Sequence, residues 1–183
     1  MQALDFEEIV DRFYSMLYRF ALGLARNEAD ACDLTQQTFS LWASKGHLLR
    51  DETKVKSWLF TTLYREFLSH RRHEIRWAKD NISKVEDELP CAMPETVDRL
   101  EFRQVMECLQ SMSETFRAPL VLYYLQEHSY EEIASILTIP VGTVMSRLFR
   151  GREKLKKTVL SRQRREEARF IPTLQSYQLQ GDG

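Results

Sequence analysis

Cysteine is scarce in this chain. Cys32, Cys91 and Cys108 are odd in number and far apart, with no metal spacing and no disulfide framework, which fits a reducing cytoplasm. Six glycines and five prolines exclude collagen-like and low-complexity chains. No apolar run approaches the roughly 20 residues that cross a bilayer, so no membrane insertion is expected. The first residues, MQALDFEEIVDRF, are acidic and amphipathic, unlike the basic and then apolar start of a signal peptide. There is no glycine-rich phosphate loop and no nucleophile motif. The histidines His47, His70, His73 and His128 make no metal-ligand pattern; His70 and His73 fall on a basic helix and line a polyanion face better than a zinc site. No metal, no cofactor and no catalysis are therefore expected. What remains is 183 residues, 43% hydrophobic and 29% charged, the composition of a soluble globular protein with one large or two small domains.

Charge is present in quantity but unevenly placed. A net charge of −1 hides a basic run holding Arg147, Arg150, Arg152, Lys154, Lys156, Lys157, Arg162, Arg164, Arg165 and Arg169, opposed only by Glu153, Glu166 and Glu167. A second basic cluster holds Arg65, Arg71, Arg72, Arg76 and Lys79. Between them Asp80, Glu86, Asp87, Glu88, Glu95 and Asp98 form an acidic stretch. Two basic patches divided this way fit two modules that each contact a polyanion.

Hydrophobic periodicity is helical throughout and no internal repeat is present. Phe6, Ile9, Val10, Phe13, Leu17, Phe20, Ala21 and Leu24 form one stripe that ends near Arg26 and Asn27. A second helix begins around 28–33, carries Leu34, Thr38, Leu41 and Trp42, and stops near Gly46, a plausible C′ glycine. Residues 47–55 read as a loop. A third helix spans about Lys56 to Lys79, anchored by Trp58, Leu59, Leu63, Phe67 and Ile75. The stretch DNISKVEDELPCAMPE has no clean period and two prolines, and reads as a linker. Thr96 to Gln110 forms the next helix, with Val97, Leu100, Val105, Met106 and Leu109 on its face, and FRAPLVLYYLQ a short apolar one. The expected fold is all-α: two small helical domains joined by a flexible acidic linker.

The most specific local pattern is SYEEIASILTIPVGTVMSRLFRGREKL, from Ser129 to Leu155. Ser129 and Glu132 have capping-box spacing. Ile133, Ala134 and Leu137 share a face, and Pro140 disfavours helical geometry at Ile139. A second helix then starts near Val141 and Gly142, with Val144, Leu148 and Leu155 as its buried stripe and a basic remainder. This is a helix-turn-helix whose second helix fits a DNA major groove. The alternative is an ordinary helical hairpin with a solvated basic face.

Three blocks, LYRFALGLARNEADACDLTQQTFSLWAS, VKSWLFTTLYREFLSHRRH and LVLYYLQEHSYEEIASILTIPVGTVMSRLFRGREKL, in this order resemble a bacterial RNA polymerase sigma factor of the extracytoplasmic-function type. The resemblance covers roughly residues 6–160. It implies a region 2-like domain over 1–79 for core docking and for minus-10 recognition and melting, a linker over 80–95, a region 4-like domain over 96–160 for minus-35 recognition, and a tail over 161–183. The implied function is a promoter-specificity subunit that binds core RNA polymerase; the competing reading is a stand-alone helix-turn-helix regulator. The implied partners are the clamp helices of the largest polymerase subunit, the flap, promoter DNA as duplex and as melted non-template strand, and an anti-sigma factor.

Residue by residue, Asp30, Asp33, Gln36 and Gln37 match the helix that docks on the clamp, and an acidic, amide-rich face suits arginines of a partner. Phe39 and Trp42 read as core. Lys56, Tyr64, Arg65, His70, Arg71 and Arg72 are the candidates for the melted minus-10 strand, where aromatics stack on bases and cations follow phosphates. The loop 47–55 would hold a flipped base. Thr143, Met145, Ser146, Phe149, Arg150 and Arg152 match minus-35 contacts, with Arg150 placed for bidentate contact with guanine. The chain departs from the family pattern at Arg65 (commonly asparagine), Ser69 (commonly aspartate), Thr138 (commonly glycine), Met145 (commonly a base) and Gly151 (commonly alanine). The charge-dense, partly apolar tail is expected to be dispensable for core binding.

Overall fold

The computed structural model describes residues 5–25, 27–80 and 99–178, without the side chains of 75, 77–80, 99–104 and 166–178. Asp5 caps α1 (Phe6–Leu24) by accepting the Glu7 N–H at 3.3 Å. Ile9, Phe13, Leu17, Phe20 and Leu24 recur at helical spacing and are buried, whereas Phe6 is exposed. Asn27 caps α2 (Glu28–Lys45), its side chain accepting the Asp30 N–H at 2.7 Å. Thr35 and Thr38 sit inside the core because each hydroxyl donates to a carbonyl one turn back, at 2.8 and 2.7 Å, so no buried donor is left over. Phe39 and Trp42 are buried, as expected.

Gly46 does not end α2 with a left-handed turn. Its φ is −59°, and the chain tightens there into a 3-10 turn over Gly46–Leu48. The glycine is needed for space: a Cβ would lie 2.6 Å from the Trp42 ring. The loop after it holds a second 3-10 turn, Glu52–Lys54, where Asp51 accepts the Thr53 N–H at 3.0 Å and its hydroxyl at 2.6 Å. α3 (Val55–Asp80) follows, burying Leu59, Phe60, Leu63 and Phe67. The expected linker, the expected helix start at Thr96 and the anchors Ile75, Val97 and Leu100 lie outside the described residues or side chains.

α4 (Arg99–Gln110) buries Met106 and Leu109 and leaves Val105 exposed. The expected helix from Phe116 to Gln126 is two pieces: α5 (Glu114–Leu120) and a π-turn, Val121–Leu125. Pro119 offers no N–H within α5, and the turns after it widen. α6 (Tyr130–Leu137) opens with a complete capping box. The Ser129 hydroxyl accepts the Glu132 N–H at 3.2 Å, and the Glu132 carboxylate accepts the Ser129 N–H at 2.8 Å. That backbone donor is the main reason the Glu132 carboxyl titrates below its usual range. Ser129→Ala is expected to cost about 1 kcal/mol in urea unfolding.

Thr138 stands in the left-handed region, φ 55°, so the turn keeps the shape a glycine would take. A β-branched residue there carries strain of roughly 1 kcal/mol. Thr138→Gly is expected to raise the unfolding midpoint, and a fall would assign the turn's stability to the threonine side chain. α7 (Val141–Gln178) does not end at residue 160. Arg162, expected in the tail, pairs with Glu107 of α4. Gly151 is buried against Leu120, whose side chain would lie 3.1 Å from an added Cβ, so close packing offsets the helix propensity the glycine gives up.

The two helical groups pack on each other. A Cβ at Gly23 of α1 would lie 2.7 Å from Val121 of the π-turn, so only hydrogen fits there. The Phe60 ring of α3 meets His128 edge-on, centroids 4.6 Å apart. Arg71 of α3 and Glu114 of α5 form an ion pair at 3.3 Å. Cys32 on α2 is disulfide-bonded, which corrects the expectation that the cysteines make no disulfide. Cys108 is a free buried thiol, and Cys91 lies outside the described residues.

Candidate nucleic-acid interface

On α7 the candidates Met145, Ser146, Phe149, Arg150 and Arg152 are exposed, and Thr143 is half-buried at the first turn. They lie away from the buried stripe of Val144, Leu148 and Gly151. Met145, Phe149 and Arg152 follow one another along one edge at helical spacing; Thr143, Ser146 and Arg150 form the adjacent edge. Met145 and Phe149 are 54% and 62% exposed, too much for structural residues and suited to apolar contact with thymine methyls. The Ser146 hydroxyl donates to the Thr143 carbonyl at 3.0 Å. Lys154 lies over the Phe116 ring at 4.2 Å, so it is held within the module.

The six candidates on α3 divide between two faces. Arg65, His70 and Arg72 are exposed, with the Arg72 guanidinium donating to the Leu68 carbonyl at 3.1 Å. Lys56, Tyr64 and Arg71 lie along the stripe that also carries Phe60 and Phe67, and this stripe faces the second module. Tyr64 is only 8% exposed. Burial pushes its hydroxyl above the ordinary value, Glu114 adds to the effect, and Arg147 of α7 opposes it. Residues of α5 and α7 therefore reach the same face that the melted strand is expected to use.

On α2, Asp33, Gln36 and Gln37 are exposed together, Gln37 donating to Glu66 at 3.2 Å. Asp30 is separate: it is half-buried and lines a small cleft with Arg71, Glu74 and Arg117. A further apolar groove of about 440 Å³ lies between α4, the π-turn and α7, lined by Val105, Leu109, Tyr124, Leu125, Leu155 and Leu160. Among the described residues, no group of three or more His, Cys, Asp and Glu side chains is placed to hold a metal ion.

Family models match both halves in order: Sigma-70 region 2 over residues 9–76 and Sigma-70, region 4 over residues 102–155. The ECF RNA polymerase sigma factor SigM of Bacillus subtilis (strain 168) is 31% identical over 157 residues, spanning 84% of this chain and 94% of that protein. The chain belongs to the extracytoplasmic-function sigma factors. As such it is a sigma subunit that directs transcription initiation, a family of regulatory subunits that bind core RNA polymerase and promoter DNA. A second relative, the ECF sigma factor SigE of Mycolicibacterium smegmatis, is 32% identical over 83% of this chain and 60% of its own length. The solved sigma factor RpoE of Bartonella quintana, in complex with the anti-sigma factor NepR, matches with a TM-score of 0.73 at 26% identity, covering 86% of this chain and 98% of that one. Region 2 and region 4 in one chain disfavour a stand-alone regulator. Among the described residues, no single helix is long and apolar enough to cross a membrane.

Sequence reasoning missed His128, Glu114 and Arg147, which meet α3 only because the two modules pack together. Arg147 falls in the basic remainder of the helix-turn-helix, and nothing in that pattern turns it toward α3. His128 reads as a loop residue before the Ser129 cap, yet it is 2% exposed.

Proposed function

We propose that residues 1–79 dock on core polymerase and hold the melted minus-10 strand, and that residues from 96 onward read the minus-35 duplex. The exposed Met145, Ser146, Phe149 and Arg150 face opposite the α7 core carries the second assignment. Base-edge contacts need exposed side chains, as Met145, Phe149 and Arg150 are, and major-groove docking needs them on one outer face. The ion pair of Arg162 with Glu107 of α4 supports extending this module past residue 160. Arg65, His70 and Arg72 supply the open part of the minus-10 face. Lys56, Tyr64 and Arg71 join it once α5 and α6 move away.

Asp33, Gln36 and Gln37 form the clamp-helix contact, and the apolar groove between α4 and α7 receives the flap. An anti-sigma factor is the proposed inhibitor, and the cytoplasm, where polymerase works, the proposed compartment. RpoE, solved in complex with the anti-sigma factor NepR, supports the first. Asp33→Lys places a cation against the partner's arginines. Losing one charge-assisted contact of about 1.5–3 kcal/mol is expected to weaken core binding tenfold to a hundredfold. Fluorescence anisotropy with labelled sigma and unlabelled core measures it; an unchanged Kd removes Asp33 from the interface.

A further inference from the structure

His128 sits at the junction of the two modules. It is 2% exposed and lies edge-on to Phe60, with ring centroids 4.6 Å apart. Its backbone N–H donates to the Leu122 carbonyl at 3.1 Å, which closes the π-turn and fixes where the ring projects. Glu127, just before it, takes a left-handed φ of 54°, so the chain is bent to deliver the ring inward. Among the described residues the imidazole has no close hydrogen bond; its polar neighbour is the Glu132 carboxylate. Nδ1 comes no nearer than 3.5 Å to the Glu132 carboxylate, beyond good hydrogen-bond distance, and that carboxylate already accepts the Ser129 N–H. A buried imidazole whose polar contact is this one long approach to Glu132 weakens a contact that a phenyl ring would fill without penalty.

The charged groups facing the ring are Lys56 from α3 and Glu132 from α6. Glu127 of its own turn is exposed. Burial and the Lys56 ammonium both disfavour a proton on the imidazole, and Glu132 only partly offsets them. The ring is therefore held neutral while the modules are packed. Protonated, it would place a second cation beside Lys56 against an apolar ring edge, and hydration in the open form would be preferred.

We propose that His128 is a pH-sensitive latch between the two modules: its protonation releases α5 and α6 from α3 and uncovers Lys56, Tyr64 and Arg71. The consequence for promoter DNA rests on the proposed minus-10 role of that face; the opening itself does not. The imidazole is held below its ordinary value of about 6.5 in the packed form. Such a group favours the packed form fully above that ordinary value and progressively less as pH falls below it. Each unit of pH then lowers the packed-to-open ratio by up to tenfold, until the packed-form value is passed.

The test uses the full chain alone. Donor and acceptor fluorophores on non-natural residues at exposed Asp11 and Arg164 report the separation of the modules from pH 8 to pH 5. The wild type is expected to lose energy transfer below about pH 6.5 while far-UV circular dichroism stays constant. His128→Phe is expected to stay packed across the range. An NMR titration of the His128 ring in the wild type should give a value below the ordinary one, with its transition coincident with opening. Constant energy transfer in the wild type to pH 5, parallel opening of His128→Phe, or opening that does not follow the His128 titration would each overturn the latch. If His128→Phe loses helical signal, the wild-type NMR and energy-transfer comparison decides alone. Binding of single-stranded minus-10 DNA at low pH is scored separately. Opening without such binding leaves the latch standing and removes the role of the uncovered face.

Discussion

Phe60→Ala is expected to destabilise the protein by about 3–5 kcal/mol. Phe60 has no exposed surface. Its ring lies 5.3 Å from Phe20 of α1 and 4.6 Å from His128 of the second module, so one side chain joins the core of the first module to the seam between them. Truncation removes the transfer energy of the ring and leaves a cavity that rigid neighbours on both sides cannot close. Since domains are stable by about 5–15 kcal/mol, a loss of this size lowers the urea midpoint steeply. Phe149→Ala is the control, because that ring is 62% exposed; its cost should stay within about 0.5 kcal/mol. A Phe60→Ala cost under 1 kcal/mol would mean that the packing of α1, α3 and the His128 turn is not as described.

Arg150→Ala is expected to weaken minus-35 recognition by about 1–3 kcal/mol and to relax preference at a single base pair. The guanidinium is exposed on the outer edge of α7, one turn and more beyond Thr143 and Ser146, so its loss leaves the helix-turn-helix core untouched. Binding of holoenzyme to a panel of minus-35 variants, at fixed salt, separates the outcomes. Loss confined to sequences with guanine at one position supports bidentate readout. A uniform loss across the panel reassigns Arg150 to phosphate contact, where the salt slope should fall by about one.

Much of this was legible in the sequence because it is local. The Ser129–Glu132 capping box, the stop at Pro140 and the burial of Val144 and Leu148 follow from spacing and cap chemistry, and the structure has all of them. The separation of core from surface on α7 follows from the same periodicity. Gly46 was misread because a glycine at a helix end most often serves a left-handed turn; here the Trp42 ring occupies the space a Cβ needs. The π-turn after Pro119 was invisible because an apolar run carries no mark of its hydrogen-bond pitch. The division of the α3 candidates into an open face and a covered one depends on contacts between residues far apart in sequence, such as Arg71 with Glu114. No local pattern encodes that pairing, so Tyr64 and Arg65 looked equivalent until the second module was in place.

The central claim is that this chain confers promoter specificity on core polymerase through two modules. Run-off transcription with purified chain and bacterial core enzyme, over a library randomised at the minus-35 and minus-10 positions, tests it directly. Discrete transcripts are expected from library members that share sequence at both elements, together with a stable complex with core on gel filtration. Absence of any specific transcript and of the complex would contradict it.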